Sequence, residues 1–196
     1  FQLLAQLWTF FITSLLLRLL SGMVSARKQA QKSSLEKLAA IDPLTGAFNR
    51  RIMKQEMLLA VEEHSRKDTP MAAILMDLDH FKTFNDRFGH EIGDDILTNF
   101  SKMVLAMTRK NDKFFRYGGE EFLMLVKNSS LEEAKAIAEK IRVASENSGF
   151  CASDTVTVSL GVAMLQTGES SEQWVSRADK AMYRSKALGR NQVSIF

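Results

Sequence analysis

The chain has 196 residues, 45% hydrophobic and 25% charged, with a formal net charge of +3. That suits one domain of ordinary size with an appendage, large enough to bury a core without staples. The single cysteine, Cys151, excludes a disulfide framework and fits cytoplasmic chemistry; one Cys beside His64, His80 and His90 argues against a structural zinc site. The positive excess gathers at Arg18, Arg27, Lys28, Lys32 and Lys37, beside an apolar run. It therefore reads as membrane-flanking charge, not as a nucleic-acid footprint.

Residues 1–20, FQLLAQLWTFFITSLLLRLL, are interrupted mainly by Gln6 and Arg18. About 20 apolar residues span a bilayer as a helix, so this segment is expected to be a transmembrane helix with the following basic residues on the cytoplasmic side. A buried core helix or an oligomer interface is the alternative. Residues 21–41 are expected to form a helical stalk. Val24, Gln31, Leu35 and Leu38 give it a short heptad-like spacing that would pair two chains, the alternative being a solvated linker.

Residues 42–196 read as one domain. Pro43 marks a break and a turn over residues 42–46, followed by an amphipathic helix to residue 66. The apolar run 71–78 suits a buried strand. Residues 81–94 read as a loop, because two glycines, Asn85 and Asp86 precede a helical spacing over 92–107. Two strand-like runs, 113–117 and 121–126, flank Gly118-Gly119, a hairpin signal. A helix over 131–147, a strand over 155–165, a helix over 171–187 and a closing strand over 191–196 complete the pattern. The alternation predicts an α/β (α+β) fold: a central mixed five-stranded sheet flanked by helices, with an inserted β-hairpin.

Asp77 and Asp79 end an apolar strand and share one face of it. Such acids meet solvent or a cation, and Mg2+ prefers oxygen ligands; simple turn chemistry is the other reading. Glu120 and Glu121 follow the Gly-Gly turn, as an ordinary polar hairpin tip would allow. Together the two places set up to four carboxylates on neighbouring strands, whose repulsion calls for a cation, in the manner of two-metal phosphoryl transfer. Asn85 and an Asp carboxylate can match the donors and acceptors of a guanine edge. No Walker A sequence is present.

In order along the chain stand Asp42-Pro43-Leu44-Thr45-Gly46 with Asn49-Arg50-Arg51, Asp77-Leu78-Asp79-His80-Phe81-Lys82, Asn85-Asp86, Gly89-His90, Gly93-Asp94, Arg116-Tyr117-Gly118-Gly119-Glu120-Glu121-Phe122, Ser159-Leu160-Gly161-Val162-Ala163, and Ala178-Asp179 through Lys186, Gly189, Arg190 and Asn191. Over about residues 40–196 the chain thus resembles the GGDEF-domain family of diguanylate cyclases, in the Gly-Gly-Glu-Glu-Phe form. The resemblance implies a fold akin to adenylyl cyclase and polymerase palm domains, and Mg2+, with Mn2+ as a substitute, held by Asp77, the Leu78 carbonyl, Glu120 and Glu121. It implies Glu120 and Lys82 as catalytic residues, and Asn85 and Asp94 as guanine readers with His90 nearby. Backbone N–H groups from His80 through Phe81 to Lys82, and the Lys186 and Arg190 side chains, would contact phosphates.

Arg109-Lys110-Asn111-Asp112 matches the family's RxxD site, which implies inhibition by bound product through Arg109 and Asp112. The implied reaction condenses two GTP into cyclic di-GMP and two pyrophosphates in a homodimer, without nucleic acid as a partner. The expected location is the bacterial inner (cytoplasmic) membrane, anchored through residues 1–20, with the catalytic domain in the cytoplasm. The alternative function is a non-catalytic GGDEF-like module that binds nucleotide or cyclic di-GMP and signals.

Overall fold

The computed structural model describes residues 17–18, 20–25, 27–28, 40–151 and 154–196. The chain divides into two units, Phe1–Ala39 and Ala40–Phe196. In the first, the described residues are helical, and Leu17, Leu20, Met23 and Val24 are exposed. Residues 1–16 and 19 of the expected span, and residues 26 and 29–39 of the expected stalk, lie outside the described residues. The expected membrane location is corrected: among the described residues no helix is long and apolar enough to cross a membrane, so that location has no span to rest on.

The second unit runs α1 (Arg50–Lys67), β1 (Met71–Leu78), α2 (Phe81–Phe88), α3 (His90–Met107), β2 (Lys113–Arg116), β3 (Glu121–Lys127), α4 (Leu131–Glu146), β4 (Val158–Met164), α5 (Ser171–Ala187) and β5 (Val193–Ile195). The five strands form one sheet in the order β2-β3-β1-β4-β5. Only β4–β5 is parallel, so the sheet is mixed, and the β2–β3 hairpin is one edge of it. Strand β1 is central and buried along its whole length, which is why its sequence is apolar from Met71 to Met76 instead of alternating, with Asp77 the exception near its end.

Alternation along the strands divides the core. Ile74, Met76 and Leu78 pack with Phe84, Ile96, Phe100 and Ile141, under α2, α3 and α4. Ala73 and Leu75 pack with Met53, Met57, Trp174 and Met182, under α1 and α5. Capping boxes start two helices: Ser130 with Glu133 opens α4, and Ser170 with Gln173 opens α5. Helix α5 lies hard against β4. The Trp174 indole donates to the Ala163 carbonyl at 2.8 Å, and a Cβ on Gly161 would stand 2.1 Å from the Ala178 carbonyl. Glycine at 161 is what lets the helix approach.

Residues 81–88, expected as loop, form the short helix α2. It begins at His80 in the left-handed conformation (φ 58°), and Gly89 both ends it and starts α3.

Candidate active site

The C-terminal end of β1 meets the N-terminal end of β3. Asp77 stands opposite Glu121 in register, and the Leu78 N–H donates to the Glu120 carbonyl at 3.3 Å. Asp77 and Glu121 continue the face formed by Leu75 and Leu123, toward α5. From α5, Lys186 places Nζ 2.7 Å from Asp77 Oδ2. Lys186, expected as a phosphate contact, is therefore an ion-pair partner of the expected metal ligand in this structure.

The electrostatics are those of crowded acids. Burial pushes the Asp77 carboxyl up, and Lys186, although it bridges it, does not offset that. Burial first and then the Asp77 charge raise Glu120. The same two causes raise Glu121, to which Asp179 on α5 adds a smaller push. All three carboxyls are thus shifted in the same direction, with burial as the first cause of each. Asp179 was missed as a member; it lies on the sequence's Ala178-Asp179 motif but gives no local sign of facing Glu121.

Asp79 behaves differently. It is 3% exposed, and its carboxylate accepts from Ser159 Oγ at 2.6 Å, Thr157 Oγ1 at 2.8 Å and Asn191 N at 3.0 Å. Its oxygens are taken up inside the fold, so the expected set of four strand-end carboxylates is reduced to three.

The hairpin is clamped by Arg116. Its guanidinium donates to the Gly119 carbonyl at 2.8 and 3.2 Å, to the Gly118 carbonyl at 3.2 Å, and to Asp42 Oδ1 at 3.0 Å. Asp42 also accepts from the Thr45 N–H and hydroxyl. Desolvation raises its pKa, but Thr45 and Arg116 together hold it below the usual carboxylate range. The first turn of the unit and the Gly-Gly turn are thereby one construction, which explains Asp42, Thr45 and Arg116 in motifs whose roles the sequence left open.

On the other side of the β1 end lies the α2–α3 turn. A Cβ at position 93 would fall 1.9 Å from Asn85 Oδ1, so Gly93 makes room for the Asn85 amide. That Oδ1 is buried without a hydrogen-bond partner. An orphaned amide oxygen at such a place is what a ligand's donor, or a reversed amide against a ligand, would satisfy. Asp94, His90 and Lys82 are exposed. Phe81 is a core residue whose ring lies beside Gly93, so it offers a ligand its backbone N–H and not its side chain. No side chain caps the start of α2, which leaves the N–H groups of its first turn available to an anion.

Among the described residues no three His, Cys, Asp or Glu side chains form a ready-made metal cage. Mg2+ does not require one, since it takes one or two carboxylates together with phosphate oxygens and water. The donor set of Asp77, Glu120 and the Leu78 carbonyl consists of hard oxygens, and its mutual repulsion fits a divalent cation.

The expected product site lies at the opposite end of β2. Arg109 is exposed, whereas Asp112 is 8% exposed and accepts from the Lys127 N–H at 3.2 Å.

Comparison with known proteins places this arrangement. Residues 39–192 match the family described as "Diguanylate cyclase, GGDEF domain". The response regulator PleD of Caulobacter vibrioides is 40% identical over 166 residues, 82% of this chain and 36% of PleD. Diguanylate cyclase VdcA of Vibrio cholerae is 34% identical over 175 residues, 86% of this chain and 50% of VdcA. The chain thus spans a third to a half of these relatives' length. Among solved structures, the GGDEF domain of DgcB from Caulobacter crescentus, in complex with c-di-GMP, superposes with a TM-score of 0.77 at 33% identity, covering 80% of this chain and 95% of that one. The active GGEEF domain of a Vibrio cholerae diguanylate cyclase superposes with a TM-score of 0.72 at 31% identity, covering 76% and 96%. The chain belongs to the GGDEF-domain family of diguanylate cyclases.

Proposed function

We propose that residues 42–196 form a diguanylate cyclase domain that condenses two GTP into cyclic di-GMP. The observation that carries this reading is the meeting of strand ends that sets Asp77 opposite Glu121, with Glu120 next in the chain and Lys186 on Asp77, in a domain whose Asn85 amide oxygen is buried and unpaired.

In this reading Asn85 and Asp94 hold the guanine, with His90 beside them. The first-turn N–H groups of α2, Lys82, Lys186 and Arg190 hold the phosphates. Asp77, Glu120 and the Leu78 carbonyl hold Mg2+, or Mn2+ in its place, with Glu121 toward a second ion. Bound there, the cation would supply charge neutralisation at the phosphates and acidify the attacking hydroxyl. Lys186 would then exchange Asp77 for a phosphate oxygen.

The 3′-hydroxyl of one GTP attacks the α-phosphorus of the other. A new P–O bond forms, the bond from the α-phosphorus to the bridging oxygen breaks, and pyrophosphate leaves. The hydroxyl proton passes to Glu120, a carboxyl that burial and the Asp77 charge make a better proton acceptor than a free glutamate. Lys82 stabilises the charge that builds on the phosphoryl oxygens. A second attack closes the ring. One domain holds one GTP, so two domains face each other in a homodimer. Product returning to Arg109, whose carboxylate neighbour Asp112 is anchored by the Lys127 N–H, inhibits the enzyme.

The test is incubation with GTP and Mg2+ followed by mass spectrometry. Cyclic di-GMP is expected from the wild type, and about 10²–10⁴-fold less of it from Glu120→Gln. Nucleotide binding without turnover by the wild type would replace this reading with a binding module.

A further inference from the structure

The acids of Asp77-Leu78-Asp79 divide their work, and Asp79 directs attention to the loop after α5. Its carboxylate joins three parts of the chain: the end of β1, the start of β4 through Thr157 and Ser159, and the backbone N–H of Asn191. A buried carboxylate needs such donors to offset its lost hydration. What it grips is an unusual backbone. Gly189 (φ 113°), Arg190 (φ 65°) and Asn191 (φ 45°) are three successive residues of positive φ, two of them not glycine. L-residues in that region carry a conformational cost, and they persist where surrounding contacts over-determine them.

Those contacts are present. Arg142 donates to Asn191 Oδ1 at 3.0 Å, and Asn191 Nδ2 donates to Glu146 at 2.8 Å. The Arg190 N–H donates to the Ser185 carbonyl at 3.0 Å, and Gln192 Nε2 donates to the Arg190 carbonyl at 3.2 Å. The backbone of the loop is held throughout. Yet the Arg190 guanidinium makes no hydrogen bond or ion pair among the described residues, and its charge is felt at Asp77.

We infer that Asp79 and Asn191 are positioning residues, which hold the left-handed turn at 190–191 so that Arg190 projects a free guanidinium at the phosphate end of the site. This rests on the reading of Arg190 as a phosphate contact, proposed above.

The test is calorimetric affinity for a non-hydrolysable GTP analogue with Mg2+, in Arg190→Ala, Asn191→Ala and the double variant, with thermal unfolding of each. Asp79→Ala removes the hub and is open to misfolding; Asn191 is half-buried and carries the test. Arg190→Ala is expected to weaken binding about tenfold. Asn191→Ala is expected to weaken it about three- to tenfold, and Asn191→Gly, which adopts positive φ without cost, by less. The double variant binds no more weakly than Arg190→Ala alone, because Asn191 acts through Arg190. Multiplying losses in the double variant, or wild-type binding by Asn191→Ala, would overturn the inference and leave the phosphate reading standing. Wild-type binding by Arg190→Ala would remove both.

Discussion

At one end of the central strands, charges are matched: Lys113 Nζ lies 2.6 Å from Glu56, and Lys127 Nζ lies 2.7 Å from Glu63. The Lys127 hydrogen bond holds Glu63 below the usual carboxylate range. At the other end Asp77, Glu120 and Glu121 crowd together, with Lys186 the one ammonium paired to them among the described residues, and all three carboxyls are raised. Backbone strain and unpaired polar atoms do not separate the two ends: His80, Arg190, Asn191 and the Asn85 oxygen at this end have counterparts at the other in the positive φ of Asp68 and Asn128 and in the unpaired His64 Nε2 and Ser129 Oγ. The same sheet thus pairs its charges at one end and crowds like charges at the other, where Mg2+ and GTP are proposed to bind, as perturbed carboxyls collect at functional sites.

Variants at the two ends separate these behaviours. The largest effect is expected for Glu120→Gln: a loss of about 10²–10⁴-fold in cyclic di-GMP formation, with the unfolding temperature kept, measured by product assay and thermal unfolding. Next is Arg116→Ala, which removes the ion pair to Asp42 and the bonds to the Gly118 and Gly119 carbonyls. A loss of about 2 kcal/mol in denaturant unfolding is expected, with weaker Mg2+-dependent GTP binding because the hairpin is freed. The Asp42 part is present above the ordinary carboxylate range and is lost as pH falls through its lowered pKa.

Glu121→Gln is expected to do the reverse. A carboxyl raised by folding binds more protons in the native state, so stability is lost as pH rises through its raised pKa. Removing that charge should raise the unfolding temperature of the ligand-free protein by about 1–2 °C at neutral pH, while lowering activity. The gain should shrink as pH falls into the ordinary glutamate range. The smallest effect belongs to the matched end: Lys127→Ala should cost about 0.2–1 kcal/mol and leave the Michaelis constant for GTP unchanged.

Much of this architecture is legible in sequence. Strand β1 announces itself as an unbroken apolar run from Met71 to Met76 because helices cover both of its faces. The Gly118-Gly119 turn between Arg116 and Glu121 marks the hairpin and its acids. Helix α2 is hidden: at eight residues it has little periodicity to show, and it starts at a left-handed His80 without a Ser, Thr, Asp or Asn cap. The split between Asp77 and Asp79 is hidden for another reason. Alternation places both on one face, and only partners 78, 80 and 112 residues away in the chain distinguish them. Gly161 reads as one glycine in a strand until α5 is seen against it. The membrane span expected from the apolar run 1–20 and the basic residues after it has no helix among the described residues to support it.

In the proposed reading the crowded carboxyls are a site for Mg2+ and GTP together. Thermal unfolding of the wild type and Asp77→Asn, with a non-hydrolysable GTP analogue, with Mg2+, and with both, tests it most directly. Stabilisation is expected for the wild type only when both are present, and none for Asp77→Asn. Equal stabilisation of the two proteins, or stabilisation by nucleotide without Mg2+, would contradict it.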